Sequence, residues 1–372
     1  MKNIKIGIDI RTVSQGAGVA TYVNNVIPRL LKKMENYDVY LFSMKKINKN
    51  FFSNNNNVKL VVFPIPKLFL LFYDWFCLPV YCYFKGVNIF HGTKSACSPL
   101  YKLFGIKTIV NLHDVIPLTN PETERIPNYI YWKIQIPLAY YFADSIITLS
   151  NFSSEELIRR YKRRKNLFVV YASGNKIDFE NNIINWDEFK QKNGLAEKYL
   201  LYVGTLQPRK NVLNAIKAFC ISDINHSSQF VVVGKKGWLY KDIFDYTKQN
   251  NLEKKIIFLD YISNSELDAV YNHASAFIYI SSNEGFGLPI IEAMEHNLPV
   301  ITSSCSCLPE IAGDTAVLVD PTDINGIANA INKVFCDENL REQMIIKGKK
   351  NILKFNWETT AEEIWAVYQK YL

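Results

Sequence analysis

The stretch Ser281-Ser282-Asn283-Glu284-Gly285-Phe286-Gly287-Leu288-Pro289-Ile290-Ile291-Glu292 sets two carboxylates eight positions apart around two glycines and a proline. Gly285 and Gly287 let backbone amides approach a ligand closely, and Pro289 suits the first turn of a helix. Glu284 then precedes the helix and Glu292 lies on its first turns, so both can face one site. Earlier, Gly204-Thr205-Leu206-Gln207-Pro208-Arg209-Lys210-Asn211 places two adjacent cations ahead of another helix. Helix amides already favour an anion there. A solvated, capped pair is the plain reading. A diphosphate clamp, with Arg209 as a fork and Lys210 as a point charge, accounts for both cations and is preferred.

Other turns carry less. Arg11 to Thr21 supplies Gly16-x-Gly18, but Thr21 stands where a dinucleotide fingerprint needs a third glycine, and no Gly-x-x-x-x-Gly-Lys-Ser/Thr occurs. His113-Asp114 follows a strand, where a histidine is either hydrogen-bonded filler or a site residue. His91, His226, His273 and His296 lack metal-ligand spacing and are read as structural. No Asp-x-Asp is present, which removes the usual carboxylate pair for a metal-bound diphosphate.

These residues must be positioned by elements. Short β-branched runs alternate with amphipathic segments, the pattern of βαβ units and parallel sheets. Strands are expected at 4–10, 39–43, 58–63, 87–90, 108–112, 145–149 and 167–170, and again at 199–203, 229–233, 256–259, 276–280, 299–302 and 316–319. Helices are expected to open at Ser153-Ser154-Glu155-Glu156 and Asn264-Ser265-Glu266-Leu267. Residues 173–197 read as a linker and Asn54–Asn57 as a loop. A last helix from Trp357 has Ile364, Val367, Tyr368 and Tyr371 on one stripe. The fold class is α/β with two doubly wound domains, 1–180 and 181–356, and a helix 357–372 crossing back to the first.

Length and composition agree. At 372 residues, 48% hydrophobic, the chain suits two globular domains. Residues 1–185 hold 24 basic and 12 acidic side chains, net +12, whereas residues 186–372 hold 19 and 23, net −4. Six of the seven residues Arg159-Arg160-Tyr161-Lys162-Arg163-Arg164-Lys165 are cations, more than a helix end needs, and suit an anionic membrane surface. Nine of the 22 residues Phe63–Phe84 are aromatic, which fits a lipid interface and a core helix equally. The seven cysteines form no Cys-x-x-Cys, and Met1-Lys2-Asn3-Ile4 runs into a strand, so reduced cytosolic thiols are expected.

The combination of Gly18-Val19, His113-Asp114, Gly204–Asn211, Gly234-Lys235-Lys236-Gly237-Trp238 and Glu284-x7-Glu292 resembles the retaining glycosyltransferases of family four along essentially the whole chain. That resemblance implies the GT-B architecture, two Rossmann-like domains facing a central cleft. It also implies that Arg209 and Lys210 bind the donor diphosphate, with Thr205 and Leu288 lining the donor site. Glu292 would accept from the ribose hydroxyls, and Glu284 with the amides of Phe286 and Gly287 would hold the sugar. Gly18 would let the first loop approach the phosphate, and His113 would sit beside sugar and acceptor. Ala20 and Asp260 stand where the family commonly has glycine.

The resemblance further implies retention of anomeric configuration and catalysis without a metal or cofactor, on a nucleotide-sugar donor, GDP-mannose first. The acceptor expected is a polyprenyl-diphosphate-linked glycan of O-antigen or capsule synthesis, at the inner face of the plasma membrane. A sugar-nucleotide epimerase or hydrolase of the same architecture is the enzymatic alternative. A nucleic-acid-binding protein is the other, disfavoured because the cations form one short segment without a recognition motif.

Overall fold

Near-continuous apolar strands demand cover on both faces, and helices between successive strands supply it. The computed structural model describes residues 4–13, 18–47, 51, 56–66, 69–123, 126–162, 166–174 and 184–372. The chain forms two compact units, the first made of residues 1–173 with 356–372 and the second of residues 174–355.

Unit 1 holds β1 (Lys5–Asp9), β2 (Asp38–Ser43), β3 (Val58–Val62), β4 (Ile89–Gly92), β5 (Lys107–Asn111), β6 (Ser145–Thr148) and β7 (Leu167–Val169), all parallel, in the order β3-β2-β1-β4-β5-β6-β7. Unit 2 holds β8 (Tyr199–Val203), β9 (Gln229–Val233), β10 (Ile256–Phe258), β11 (Ala276–Tyr279), β12 (Val300–Ser303) and β13 (Ala316–Val319), also parallel, in the order β10-β9-β8-β11-β12-β13. Each order reverses direction once, beside β1 and beside β8, and such switch points open a crevice at the strands' carboxyl ends.

Every run expected as a strand is one, with small shifts. The largest is β4, which begins at Ile89 rather than Val87. Gly86, at φ +69°, closes the preceding helix and the Val87 amide still donates to Cys82 O at 2.9 Å, while His91 and Gly92 pair with Ile8 and Asp9 of β1. The helix expected from Ser153 runs Asn151–Tyr161, because Ser150 is the cap whose Oγ accepts from the Ser153 amide at 3.2 Å. Ser263 and Glu266 form a capping box on the helix Asn264–Asn272.

Residues 173–197 are not simply a linker. They contain the helix Trp186–Asn193, started by the Asn185 side chain and ended by Gly194 at φ +64°. Trp186 stacks on His273, with ring centroids 4.0 Å apart. The expected boundary at 180/181 and residues 54 and 55 of the asparagine loop lie outside the described residues.

The helix Trp357–Tyr368 belongs to unit 1. Ile364, Val367 and Tyr368 are buried; Tyr368 OH pairs with His91 Nδ1 at 2.8 Å and Tyr371 OH with Ser145 Oγ at 2.6 Å.

Candidate functional site

At the carboxyl end of β8 the chain turns through Gly204 into a short 3-10 turn, Pro208–Lys210, and then the helix Val212–Ile221. Asn211 between them is left-handed at φ +57°, and its side-chain amide donates to Pro321 O at 2.6 Å, which anchors the bend. The adjacent end of β9 passes so close that a Cβ on Gly234 would lie 2.0 Å from Gly204 O; only glycine fits.

The end of β11 delivers Glu284, and the three expected charges meet there. Arg209 Nη1 lies 2.8 Å from Glu284 Oε2 and Lys210 Nζ lies 2.6 Å from Oε1. Arg209 also donates to Asn283 O at 3.0 Å, Lys210 to Tyr279 OH, and Tyr279 OH to Glu284 Oε1 at 3.0 Å. Burial penalises the Glu284 charge, but Arg209 and Lys210 outweigh it and hold the carboxyl well below its ordinary range. Burial likewise lowers Lys210, to about 8, against the pull of Glu284. The cluster carries two cations and one anion, a net positive charge at a strand-to-helix turn.

Gly287, at φ +109°, leads into the helix Leu288–Glu295, and a Cβ there would meet Leu308 Cδ2 at 2.8 Å. Phe286 is buried, its ring edge-on to Phe355. Glu292 belongs to a second group on this helix. Tyr271 OH donates to Glu292 Oε2 at 3.1 Å, and Tyr271 stacks on His296, which holds Asp268 Oδ1 at 2.8 Å through Nε2. Burial pushes Glu292 up to about 7, with Tyr271 opposing and Glu295 adding to the rise. Thr205 is exposed beside Gly237. Asp260, in place of the expected glycine, adopts φ +44°, and its carbonyl accepts from the Gly234 amide at 2.8 Å.

The sequence reading did not single out the side chains that stitch this loop to the end of β12. Thr302 Oγ1 donates to Tyr279 O and Ser303 Oγ to Ser281 O, each at 2.7 Å. Cys305 Sγ donates to Ser282 O at 3.2 Å, and Cys307 Sγ to Glu284 O at 3.2 Å and Phe286 O at 3.0 Å. The run Thr302-Ser303-x-Cys305-x-Cys307, small donors gathered at the end of a strand and in the turn after it, was the available signal.

The remaining expected residues lie in unit 1. His113 is buried, its Nε2 2.8 Å from Thr93 O and its ring edge-on to Tyr22; burial lowers it to about 4. Gly18 starts the helix Gly18–Lys33, exposed, and Ala20 is buried within it; residues 14–17 lie outside the described residues. Arg159 and Arg160 end the helix Asn151–Tyr161 and Lys162 caps it, Arg159 pairing with Glu156 at 2.5 Å and Arg160 donating to Leu118 O at 3.2 Å; Arg163, Arg164 and Lys165 lie outside the described residues. Among the described residues no three His, Cys, Asp or Glu side chains converge to hold a metal ion, and no helix is long and apolar enough to cross a membrane.

Residues 185–351 match the family model described as "Glycosyl transferases group 1". The chain is 28% identical over 267 residues to the O-antigen chain mannosyltransferase B of Escherichia coli, spanning 71% of this chain and 70% of that protein. It is 25% identical to the capsular polysaccharide biosynthesis glycosyltransferase CapM of Staphylococcus aureus, across 100% of this chain and 98% of that one. The crystal structure of Anabaena Alr3699/HepE in complex with UDP and glucose superposes with a TM-score of 0.77 at 16% identity, covering 99% of this chain and 100% of that chain. That likeness shows the fold, which is GT-B.

Proposed function

We propose that the chain, whose residues 185–351 match the glycosyl transferases group 1 model and whose fold is GT-B, is a retaining hexosyltransferase that needs no metal and moves mannose from GDP-mannose to a polyprenyl-diphosphate-linked glycan in O-antigen or capsule synthesis. The observation that carries the reading is the buried ion cluster of Arg209, Lys210 and Glu284 at the β8 and β11 turns. The names of the E. coli and S. aureus relatives support mannosyl transfer and surface polysaccharide as the setting. The bound UDP and glucose of the Anabaena structure support a nucleotide-sugar donor.

Departure of a nucleoside diphosphate builds negative charge on phosphate while the sugar gains oxocarbenium character. Cations fixed in advance in a water-poor site stabilise that charge most effectively. Glu284 holds Arg209 and Lys210 in place until the donor arrives, and then shares them while it and the amides of Phe286 and Gly287 take the sugar hydroxyls. Glu292, oriented by Tyr271, receives the ribose hydroxyls. Thr205 and Leu288 line the donor site, Gly18 approaches its phosphate, and His113 in unit 1 serves the sugar and acceptor. Attack occurs on the face the leaving group vacates, which retains configuration. The basic segment Arg159, Arg160, Lys162, Arg163, Arg164 and Lys165 meets the anionic inner face of the plasma membrane.

A thermal-shift screen against nucleoside diphosphates tests the donor assignment, because a ligand of the native state raises stability with its affinity. GDP is expected to shift the transition and UDP not. Release of GDP from GDP-mannose only when a lipid-linked acceptor is present supports transfer; equal release without acceptor supports a hydrolase instead.

A further inference from the structure

The helical layer between β3 and β6 in unit 1 exposes an apolar surface that the sheet's own core does not use. The crossovers from β3 to β4, β4 to β5 and β5 to β6 all step in one direction along the sheet, and the right-handedness of such connections places their helices on the same side. Side chains join them directly. The Tyr83 ring lies 4.7 Å from that of Phe104, Tyr131 OH donates to Asp74 Oδ2 at 2.6 Å, and Lys94 Nζ sits over the rings of both Tyr131 and Trp132. Inward, Tyr73, Leu78, Cys82, Tyr101, Ile136 and Tyr140 enter the core. Outward, Phe72, Phe76, Phe84, Leu103, Ile130 and Ile134 are exposed, Phe84 by 78% and Leu103 by 77%. A helix apolar on both sides is normally covered on both sides.

Charge distinguishes this surface from an ordinary sticky patch. Between Trp75 and His113, and again between Ile126 and Ala143, the sequence has no Asp or Glu, while Lys85, Lys94, Lys102, Lys107 and Lys133 fall within those segments. Asp74, just before them, is buried against Arg11; Asp114, Glu122 and Glu124 fall between the two segments, and Asp144, just after the second, pairs with Lys107 at 3.1 Å. Lys85, Lys102 and Lys133 are exposed beside the aromatic and aliphatic groups. The opposite side of the same sheet is finished differently. There the helix Gly18–Lys33 is covered by Trp357–Tyr368, and Arg29 pairs with Glu358 at 2.8 Å.

The geometry points to this layer as a lipid-docking surface that inserts Phe72, Phe76, Phe84, Leu103, Ile130 and Ile134 into the interface of an anionic bilayer, with the lysines at the headgroups. Apolar groups with exposed lysines beside them, on segments that carry no carboxylate, match such an interface. A second copy on the same face would bring the two sets of lysines together, because a two-fold contact presents the same patch on both sides. The inference rests on the peripheral-membrane part of the proposed function and moves its principal contact from the basic segment to the helical layer.

Sedimentation of the full chain with vesicles tests it, using phosphatidylcholine alone and phosphatidylcholine mixed with phosphatidylglycerol. The unaltered protein is expected to bind the mixed vesicles, and Phe72→Ser with Phe84→Ser and Ile130→Ser to bind at least about tenfold more weakly. Phe84→Ser with Leu103→Ser, at two positions more than three-quarters exposed, gives a smaller loss without touching the fold. Unchanged nucleoside-diphosphate thermal shifts in both variants show that the donor unit is intact. Equal binding by variants and unaltered protein, with loss only on Arg159→Ala, Arg160→Ala and Lys162→Ala, overturns this surface and leaves the peripheral reading standing. No binding to either vesicle overturns both. A dimer of the unaltered protein that the serine variants dissolve also overturns it, assigning the face to a second copy.

Discussion

The first strand of each sheet ends in a buried charge cluster, and the two clusters are inverted copies in sign. Beyond β1, Arg11 pairs with Asp9 at 2.6 Å and with Asp74, whose other oxygen takes the Tyr131 hydroxyl. Beyond β8, Arg209 and Lys210 share Glu284. Two carboxylates and one cation leave the first cluster negative; two cations and one carboxylate leave the second positive. Exposure separates them again: the side chains of Arg11, Asp9 and Asp74 are 1–2% accessible, against 16% for Arg209 and 11% for Lys210. One position in a shared architecture therefore holds a closed brace in unit 1 and a more open cluster in unit 2, the anion site of the proposed function. Burial opposes the charge on Arg11, and the fields of Asp74 and Asp9 more than restore it. The charges gathered beyond β1 tie the start of the first loop to the helical layer, so their work is structural.

The hardest blow to this comparison comes from Arg11→Met. Two buried carboxylates would lose the cation that pairs with both, and breaking such a pair costs about 3–5 kcal/mol. Denaturant unfolding should show the transition of unit 1 falling by that order while the nucleoside-diphosphate shift of unit 2 persists; loss of nucleotide binding instead would make the β1 cluster a ligand site. Arg209→Ala should do the reverse. Turnover is expected to fall by about 10²–10³-fold, as for one preorganised donor in a charge-stabilising site. Glu284 keeps Lys210, so the stability loss should stay below that of Arg11→Met, at about 1–3 kcal/mol for a buried hydrogen bond to a charged group. A variant that turns over normally but unfolds early would erase the distinction between brace and site.

Much of this is legible in the sequence. Strand runs, the two halves and the placing of Arg209, Lys210 and Glu284 at strand-to-helix turns follow from local pattern, because βαβ units put residues near each strand end at predictable places; that these three pair with one another does not. The brace is not legible. Arg11 and Asp74 are 63 positions apart and meet only because the β3-to-β4 crossover returns a helix over β1. The two faces of Phe63–Phe84 are undecidable for the same reason, since an aromatic run does not say which side meets the sheet. The helix Trp186–Asn193 escapes notice because its polar composition hides a cap, Asn185, and a stop, Gly194. Cys305 and Cys307 look like idle thiols until their carbonyl partners are placed.

Glu292 sharpens the contrast through pH. Its carboxyl is raised from 4.5 to about 7, so the folded chain keeps a proton that the unfolded chain releases. Stability from this group is complete below the lower value and is lost as pH climbs through the higher one. In the proposed role of Glu292, ribose hydroxyls favour the ionised form, which offers more acceptors, so donor affinity should move oppositely and rise with pH across about 6 to 8. Calorimetric titration of nucleoside diphosphate across that range checks the slope. Glu292→Gln should flatten both trends and lower affinity about tenfold or more, whereas no variant of Asp9 or Asp74 should alter the binding slope.

The smallest effect expected lies in the neutral donors that hold the open site in shape. Cys307 is fully buried, and burial pushes its thiol up, so it stays protonated and can donate to Glu284 O and Phe286 O at once. Cys307→Ala removes those bonds without changing any charge and should cost about 1 kcal/mol of stability. Because Arg209 and Lys210 are untouched, the chemical step should keep its rate within about twofold, while the loosened loop raises the donor KM a few-fold. Cys307→Ser retains a donor and should recover the KM. A fall in kcat with KM unchanged would place Cys307 in the charge-stabilising machinery itself, and the open site would then depend on its neutral frame as much as the closed brace depends on its ions.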